Sequence, residues 1–395
     1  MITRHPDLLD TLVARVAERE HAGLLRRART VDDTHGVRVT INGRELLNFC
    51  SNDYLGLAQD PRIIGALRKA VGESGVGSTA AHLVCGHRPE HAQLEEALCE
   101  WTGREAALLF SSGWLANLGT MQALLGRDAV CVQDKLNHAS LLDAVQLAGA
   151  TLKRYPHNDV DSAARQLASA GDKPVLLATD GVFSMDGDVA PLRGLAALCA
   201  REKATLMVDD AHGLGVLGPH GAGGVAEAGL GQGDVPVLMV TLGKALGCMG
   251  AAVLGSRALI EGLTQFARTF VYTTAMPPAL AAAACEAARI ARAEDWRRER
   301  LHVLIARFRT GATQIGLPLM DSHTAIQPTV LGDAARTVAA SRSLEEAGFL
   351  VAAIRPPTVP QGKARLRVTL SAAHSENDVD RLLDALARVA PRVSP

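Results

Sequence analysis

The sequence predicts an α/β protein: a large domain built on a mostly parallel sheet sandwiched by helices, followed by a smaller α+β domain. Three observations carry that prediction. From about residue 61 to 285, strand-like apolar runs alternate with helical patterns, as βαβ units do. One run, Val237-Leu238-Met239-Val240-Thr241, is apolar without polar alternation and rich in β-branched residues, so it reads as a strand buried on both faces. Near residue 285 the rhythm changes to a long charged helix, Ala279 to about Arg309, and then to short strands and helices in a different order. With 395 residues, against a single core that stops growing near roughly 250–300, the chain divides into an amino-terminal segment 1–51, a large domain 52–287 and a small domain 288–395.

Residues 8–29 carry apolar positions three and four apart with charges between them, which predicts an amphipathic helix that docks on another surface. Val37–Ile41 and Glu45–Phe49 flank Asn42-Gly43, a dipeptide that supplies positive φ for a two-residue turn, and predict a hairpin. Ser51-Asn52-Asp53-Tyr54-Leu55-Gly56 is a polar turn. The strands expected in the large domain are Ala106–Phe110, Ala129–Gln133, Thr151–Tyr155, Pro174–Thr179, Thr205–Val208, Val237–Thr241 and Ala251–Leu254. Arg355-Pro356-Pro357-Thr358-Val359-Pro360 is a stiff Pro-rich loop, and the Ala281–Ala284 run is a packed helix.

Composition narrows the partners. The chain has 41 basic and 42 acidic residues and no basic tract, which argues against nucleic acid. The charged start, Met1-Ile2-Thr3-Arg4-His5-Pro6-Asp7, is no signal peptide, and no apolar run reaches the roughly 18 residues of a membrane span. A cytoplasmic protein without membrane partners is expected. Seven scattered cysteines, never spaced Cys-x-x-Cys, fit reduced thiols packed as small hydrophobes.

Chemistry gathers at strand ends. Lys244 follows the buried run, where α/β sheets place their sites, and is either a surface lysine or an amine held for covalent work. One βαβ step earlier, Thr205–Val208 runs into Asp209-Asp210-Ala211-His212. These cap a strand end, or else Asp209 pairs with the ring nitrogen of pyridoxal phosphate so that the ring stays an electron sink, with His212 in reach of the ring hydroxyl. Phe110-Ser111-Ser112-Gly113-Trp114 leads from a strand into a helix start, a pattern whose backbone N–H groups suit a phosphate. His138, in Asn137-His138-Ala139-Ser140, is a helix cap or a ring that stacks on a cofactor.

Three rival motifs compete. Gly213-Leu214-Gly215-Val216-Leu217-Gly218 matches a dinucleotide fingerprint by letter, yet Asp209–His212 separates it from its strand and Pro219 follows where a helix should open. His82, Cys85, His87 and His91 invite a metal reading, but no carboxylate or second cysteine completes a tetrahedral set, and no metal is expected. Gly243-Lys244 lacks both the earlier glycine and the following Ser/Thr of a P-loop.

As a set these residues resemble the α-oxoamine synthases, pyridoxal-phosphate enzymes of fold type I, the aspartate aminotransferase-like fold. The matching segments are Asn52-Asp53-Tyr54-Leu55-Gly56-Leu57, Thr179-Asp180-Gly181-Val182-Phe183-Ser184-Met185-Asp186-Gly187-Asp188, Val208-Asp209-Asp210-Ala211-His212-Gly213 and Thr241-Leu242-Gly243-Lys244. The loop Ala353-Ile354-Arg355-Pro356-Pro357-Thr358-Val359-Pro360 and Ala364–His374 resemble the members that serve biotin biosynthesis.

The resemblance implies an acyltransferase that condenses L-alanine with a pimeloyl thioester, on coenzyme A or an acyl carrier protein, with loss of CO₂. It implies pyridoxal 5′-phosphate held by Lys244 as a Schiff base, Lys244 also taking the alanine Cα proton. It implies Asp209 at the ring nitrogen, His138 stacked on the ring, and Ser184 and His212 at the ring hydroxyl. Ser112, Gly113, Trp114, Asp180 and Thr241 lie around the cofactor, and Thr273 and Thr274 reach it from the second subunit of a homodimer. Arg367, Asn52 and His138 serve the alanine carboxylate side, and Arg26, Thr358 and Arg355 the acyl donor. Related readings are an α-oxoamine synthase for glycine and acetyl-CoA or for serine and a long acyl thioester, and an aminotransferase. Against the family pattern, Asp180 stands where Glu is frequent, Trp114 replaces a smaller aromatic, and Thr79-Ala80-Ala81-His82 replaces a Gly/Ser-rich run.

Overall fold

The computed structural model describes residues 7–389; the charged start, Met1 to Pro6, lies outside them. Seven strands form the central sheet: β1 (Ala106–Phe110), β2 (Val130–Asp134), β3 (Thr151–Tyr155), β4 (Val175–Asp180), β5 (Thr205–Asp209), β6 (Val237–Thr241) and β7 (Ala251–Gly255). They lie in the order β1-β7-β6-β5-β4-β2-β3. Only β7 runs against its neighbours, pairing antiparallel with β1 and β6; the other pairs are parallel. All seven expected runs are in this sheet, each end within one residue of its predicted place.

The apolar strands are explained by a helical layer on each face. Leu177, Val208 and Val240 belong to one buried core, while their neighbours Leu176, Met207 and Met239 belong to the core on the opposite face. Every carboxyl end except that of β7 points to one edge, where the polar residues Asp134, Asp180, Asp209 and Thr241 terminate their strands.

The long charged helix is two helices, Pro278–Ala293 and Asp295–Gln314. Glu294 breaks it by leaving helical geometry (φ −99°, ψ 73°), its carboxylate accepting from Arg297 Nε at 2.8 Å and from Arg62. No proline or glycine marks the break. The alanine-rich first half is buried, as expected, against helices Pro61–Ser74 and Pro89–Thr102.

The amino-terminal helix is shorter than expected, Leu8–His21, and none of its residues is buried. Gly23, at φ 65°, sits just beyond its end, where a left-handed residue stops the helical ladder. The hairpin forms as predicted, strands Arg38–Ile41 and Arg44–Asn48 joined by Asn42 (φ 52°) and Gly43 (φ 71°). Arg44–Asn48 then pairs in parallel with Phe349–Leu350, so the amino-terminal hairpin shares a sheet with a strand about 300 residues later. A separate three-stranded antiparallel sheet, Ile326–Gly332, Ala364–Thr369 and Ala352–Ile354, carries Arg367 toward the edge of the central sheet.

Candidate active site

At the carboxyl edge a cavity of about 180 Å³ is lined by Gly113, Trp114, Asn117, His138, Ser140, Asp180, Ser184, Asp209, Ala211, His212, Met239, Thr241 and Lys244. Lys244 comes from the loop after β6. Burial pushes its amine down to about 8, against the pull of Asp209 and Asp180, so a large share of it is neutral near pH 8. Asp209 closes β5. One of its oxygens accepts from Asn117 Nδ2 at 2.8 Å and the other from the Ala211 N–H at 3.1 Å.

Part of the wall is built from helix starts. Ser112 caps helix Gly113–Leu124, its Oγ accepting from the Leu115 N–H at 3.3 Å, so the first amides of that helix open at the cavity. Ser112 itself is no part of the lining. His138 caps helix Ala139–Ala148 and meets Trp114 edge to face at 5.9 Å between ring centres. Asp180 accepts from the His138 N–H at 2.9 Å, and burial followed by the nearby Asp209 charge holds it well above the usual carboxylate range. His212 is buried and held well below the imidazole range, first by desolvation and then by Lys244; its Nδ1 lies 2.6 Å from Tyr54 Oη.

Arg367 binds Ser184 O through Nε (2.7 Å), Thr369 Oγ1 through Nη1 (3.1 Å) and Asn52 Oδ1 through Nη2 (3.3 Å). Of its five N–H groups this leaves one on each Nη, a fork that suits a carboxylate. A larger groove of about 750 Å³ shares His138 and Ser184 with the cavity and continues past Leu136, Met185, Met320 and Val359 to Arg26 and Thr358. Arg26 Nη2 donates to Thr358 Oγ1 at 3.0 Å. Arg355 does not line the groove; its guanidinium donates to the carbonyls of Gly23 and Leu25 and braces the segment that carries Arg26. Thr273 and Thr274 do not line the cavity of their own chain, and Thr274 is exposed.

Sequence reasoning missed Asn117, Ser140, Ala211 and Met239. Asn117 lies inside a helix and reaches Asp209 across 92 positions, and Ser140, though only two residues after His138, gains its link to Asp209 only through Asn117.

The rival motifs resolve by packing. A Cβ on Gly213 would lie 1.9 Å from Asp210 Oδ1, and one on Gly223 2.1 Å from Oδ2, so these glycines let the backbone close around a buried carboxylate. Burial pushes Asp210 up to about 7. His82, His87 and His91 do gather, but both ring nitrogens of His91 are engaged: Nδ1 accepts from the Arg88 N–H (2.9 Å) and Nε2 donates to Met276 O (2.8 Å).

The donor set fits pyridoxal phosphate. It offers a carboxylate for a pyridine nitrogen, a helix start for a phosphate, a partly neutral lysine for an aldehyde and an imidazole at the wall. Fold and site thus define a pyridoxal-phosphate enzyme. The aminotransferase class I and II model matches residues 44–386, and the chain belongs to that family.

Over 383 residues the chain is 57 % identical to an 8-amino-7-oxononanoate synthase of Alkalilimnicola ehrlichii, covering 97 % of each protein. It is 55 % identical over 384 residues to the synthase of the same name from Xylella fastidiosa, covering 97 % of this chain and 96 % of that one. A solved variant of serine palmitoyltransferase from S. paucimobilis, with a bound PLP–myriocin aldimine, superposes with a TM-score of 0.93 at 27 % identity, over 98 % of this chain and 99 % of that one.

Proposed function

We infer that the chain catalyses the decarboxylative condensation of L-alanine with a pimeloyl thioester, giving 8-amino-7-oxononanoate, CO₂ and free thiol in biotin biosynthesis. Identity above half with the named synthases supports this. The geometry that carries the reading is the junction of the Lys244 cavity with the long, largely apolar groove at His138 and Ser184. Two substrates meet there, one small and polar, one long.

Asp209 would keep the ring nitrogen of the cofactor protonated, Gly113, Trp114 and Thr241 would hold its phosphate end, and Ser184 and His212 its ring hydroxyl. When bound, pyridoxal phosphate supplies an electron sink for the pair left at alanine Cα. Arg367 and Asn52 hold the alanine carboxylate. Lys244 takes the Cα proton, a task suited to an amine poised near neutrality. The Cα then bonds to the thioester carbonyl, the C–S bond breaks and the thiol leaves; the β-keto acid loses its carboxyl group as CO₂. Arg26 receives the far carboxylate of the pimeloyl chain, Thr358 lies near the thioester substrate, and Arg355 acts by bracing the segment that carries Arg26.

The active assembly is a homodimer in the cytoplasm, with Thr273 and Thr274 completing the partner's site. Tyr272, beside them and 73 % exposed, marks a surface suited to such a contact. The acyl group arrives on coenzyme A or an acyl carrier protein.

The test measures CO₂ release from alanine, glycine and serine with pimeloyl, acetyl and palmitoyl thioesters. Alanine with pimeloyl is expected to be fastest; preference for glycine with acetyl-CoA would overturn the reading. Loss of one charged contact predicts that Arg26→Ala raises KM for the pimeloyl donor about tenfold and leaves that for alanine nearly unchanged. An equal rise for both would remove Arg26 from the acyl site.

A further inference from the structure

Four groups at the cavity wall form one chain of hydrogen bonds whose protons can all be placed. Asn117 Nδ2 lies 2.8 Å from Asp209 Oδ2 and 2.9 Å from Ser140 Oγ, and Ser140 Oγ lies 2.8 Å from His138 Nδ1. Asn117 and Ser140 are fully buried, so solvent offers no alternative partner. A carboxylate only accepts, which compels the amide to turn its nitrogen toward Asp209. Both amide hydrogens are then spent, one on Asp209 and one on Ser140. Asn117 Oδ1 is left buried without a partner, a cost the fold accepts to keep that orientation.

Because Ser140 Oγ accepts from Asn117, its own hydrogen goes to the remaining neighbour, His138 Nδ1. That nitrogen also faces the Ser140 backbone N–H at 3.3 Å. With two donors aimed at it, Nδ1 carries no proton, and the ring hydrogen sits on Nε2.

Resting on the reading of this cavity as the alanine and cofactor site, we propose that Asn117 and Ser140 are positioning residues that convert the charge of Asp209 into a fixed tautomer of His138. The result is a neutral imidazole with its hydrogen on Nε2, held where the cofactor cavity and the acyl groove join. The titratable and charged groups facing His138 are Asp209, Lys244 and His212 at the same cavity, Asp143 in its own helix, and Asp180, which holds its backbone N–H. Ser140→Ala changes none of them. It removes the shorter of the two contacts at Nδ1 and keeps the longer backbone N–H, so that nitrogen takes a proton more readily.

The direct test is the long-range ¹H–¹⁵N spectrum of protein labelled at histidine nitrogen, with and without pyridoxal phosphate. The His138 signals are identified by their loss in His138→Gln. The relay requires Nε2–H in the wild type and a mixed or protonated ring in Ser140→Ala at the same pH; Nδ1–H in the wild type overturns it. In turnover, losing a hydrogen bond that favours the neutral ring moves the acid limb of kcat/KM for alanine up by about one pH unit in Ser140→Ala. Asn117→Ala shifts it the same way, and the double variant shifts no further, as members of one chain should. A shift that persists in a His138→Phe background, or none in a normally loaded Ser140→Ala protein, overturns the proposal. Correct spectra without CO₂ release from alanine and a pimeloyl thioester would instead refute the function and leave the relay standing.

Discussion

Lys244 and His157 show how burial and partners set the behaviour of single side chains in opposite directions. Burial lowers Lys244 to about 8 from an ordinary 10.5. The rate at which cofactor-free protein captures pyridoxal phosphate should therefore climb with pH to a midpoint near 8; a midpoint near 10.5 in stopped-flow absorbance would show the amine is not desolvated. At His157 burial also opposes charge, but hydrogen bonds to Asp134 (3.1 Å) and Asp188 (2.6 Å) outweigh it and raise the ring to about 9. A raised folded pKa stabilises fully below the unfolded value of 6.5 and fades as pH rises through 9. His157→Gln should thus lower the urea midpoint clearly at pH 6 and far less at pH 9.5. An effect that grows with pH would contradict the ion-pair account. Neither partner of His157 was legible beforehand, because Asp134 and Asp188 lie 23 and 31 residues away from it in the chain.

The loops at the carboxyl edge are aligned by close backbone approach. Gly247 ends the turn that bears Lys244, at φ 64°, and a Cβ there would lie 2.4 Å from Ala58 N. Ala58 closes the turn begun at Asn52, where the Asp53 carboxylate accepts from the Leu57 and Ala58 N–H groups at 2.8 and 3.0 Å. At Gly215 the close approach is to side chains instead, its Cβ position lying only 2.8 Å from Ala245 Cβ. Gly247→Ala combines a strained φ with a backbone clash, so it should cost about 2 kcal/mol or more and lower cofactor content. Chemical denaturation and absorbance of the purified variant measure both, and unchanged stability would show that the turn can shift freely. The sequence placed these loops correctly, since strand ends and Gly-rich turns are local signals. It misjudged both long helices: the break at Glu294, held by Arg297 and by Arg62 from a distant helix, carries no proline or glycine, and at the amino-terminal helix the apolar spacing was followed past Gly23, a local stop signal that the periodicity overrode.

For the whole molecule, the site draws on parts of the chain that no single unit contains. Asn52 precedes the central sheet, Ser184 follows β4, and Arg367 comes from the carboxyl-terminal sheet. If Thr273 and Thr274 also come from a partner, each site joins two chains. Equal mixing of an inactive Lys244→Ala chain with a Thr273→Ala/Thr274→Ala chain puts both defects in one site of each heterodimer and leaves the other intact. With random exchange between subunits, about a quarter of wild-type activity should return. No recovery in mixtures shown to exchange would place those threonines outside the partner's site.

The seven strands, their carboxyl edge and the placing of Asp209 and Lys244 just beyond two of them were legible in the sequence alone, because apolar runs and the polar residues that end them are local in the chain; His138 stayed open there between a cap and a stacking ring, and Ser184 entered only through the family resemblance. The tertiary structure decided what each group does with its protons. Asn117 reaches Asp209 across 92 positions, and Arg367 reaches Asn52 across 315. Hydrogen-bond direction and desolvation depend on neighbours in space, which helix and strand periodicity does not encode.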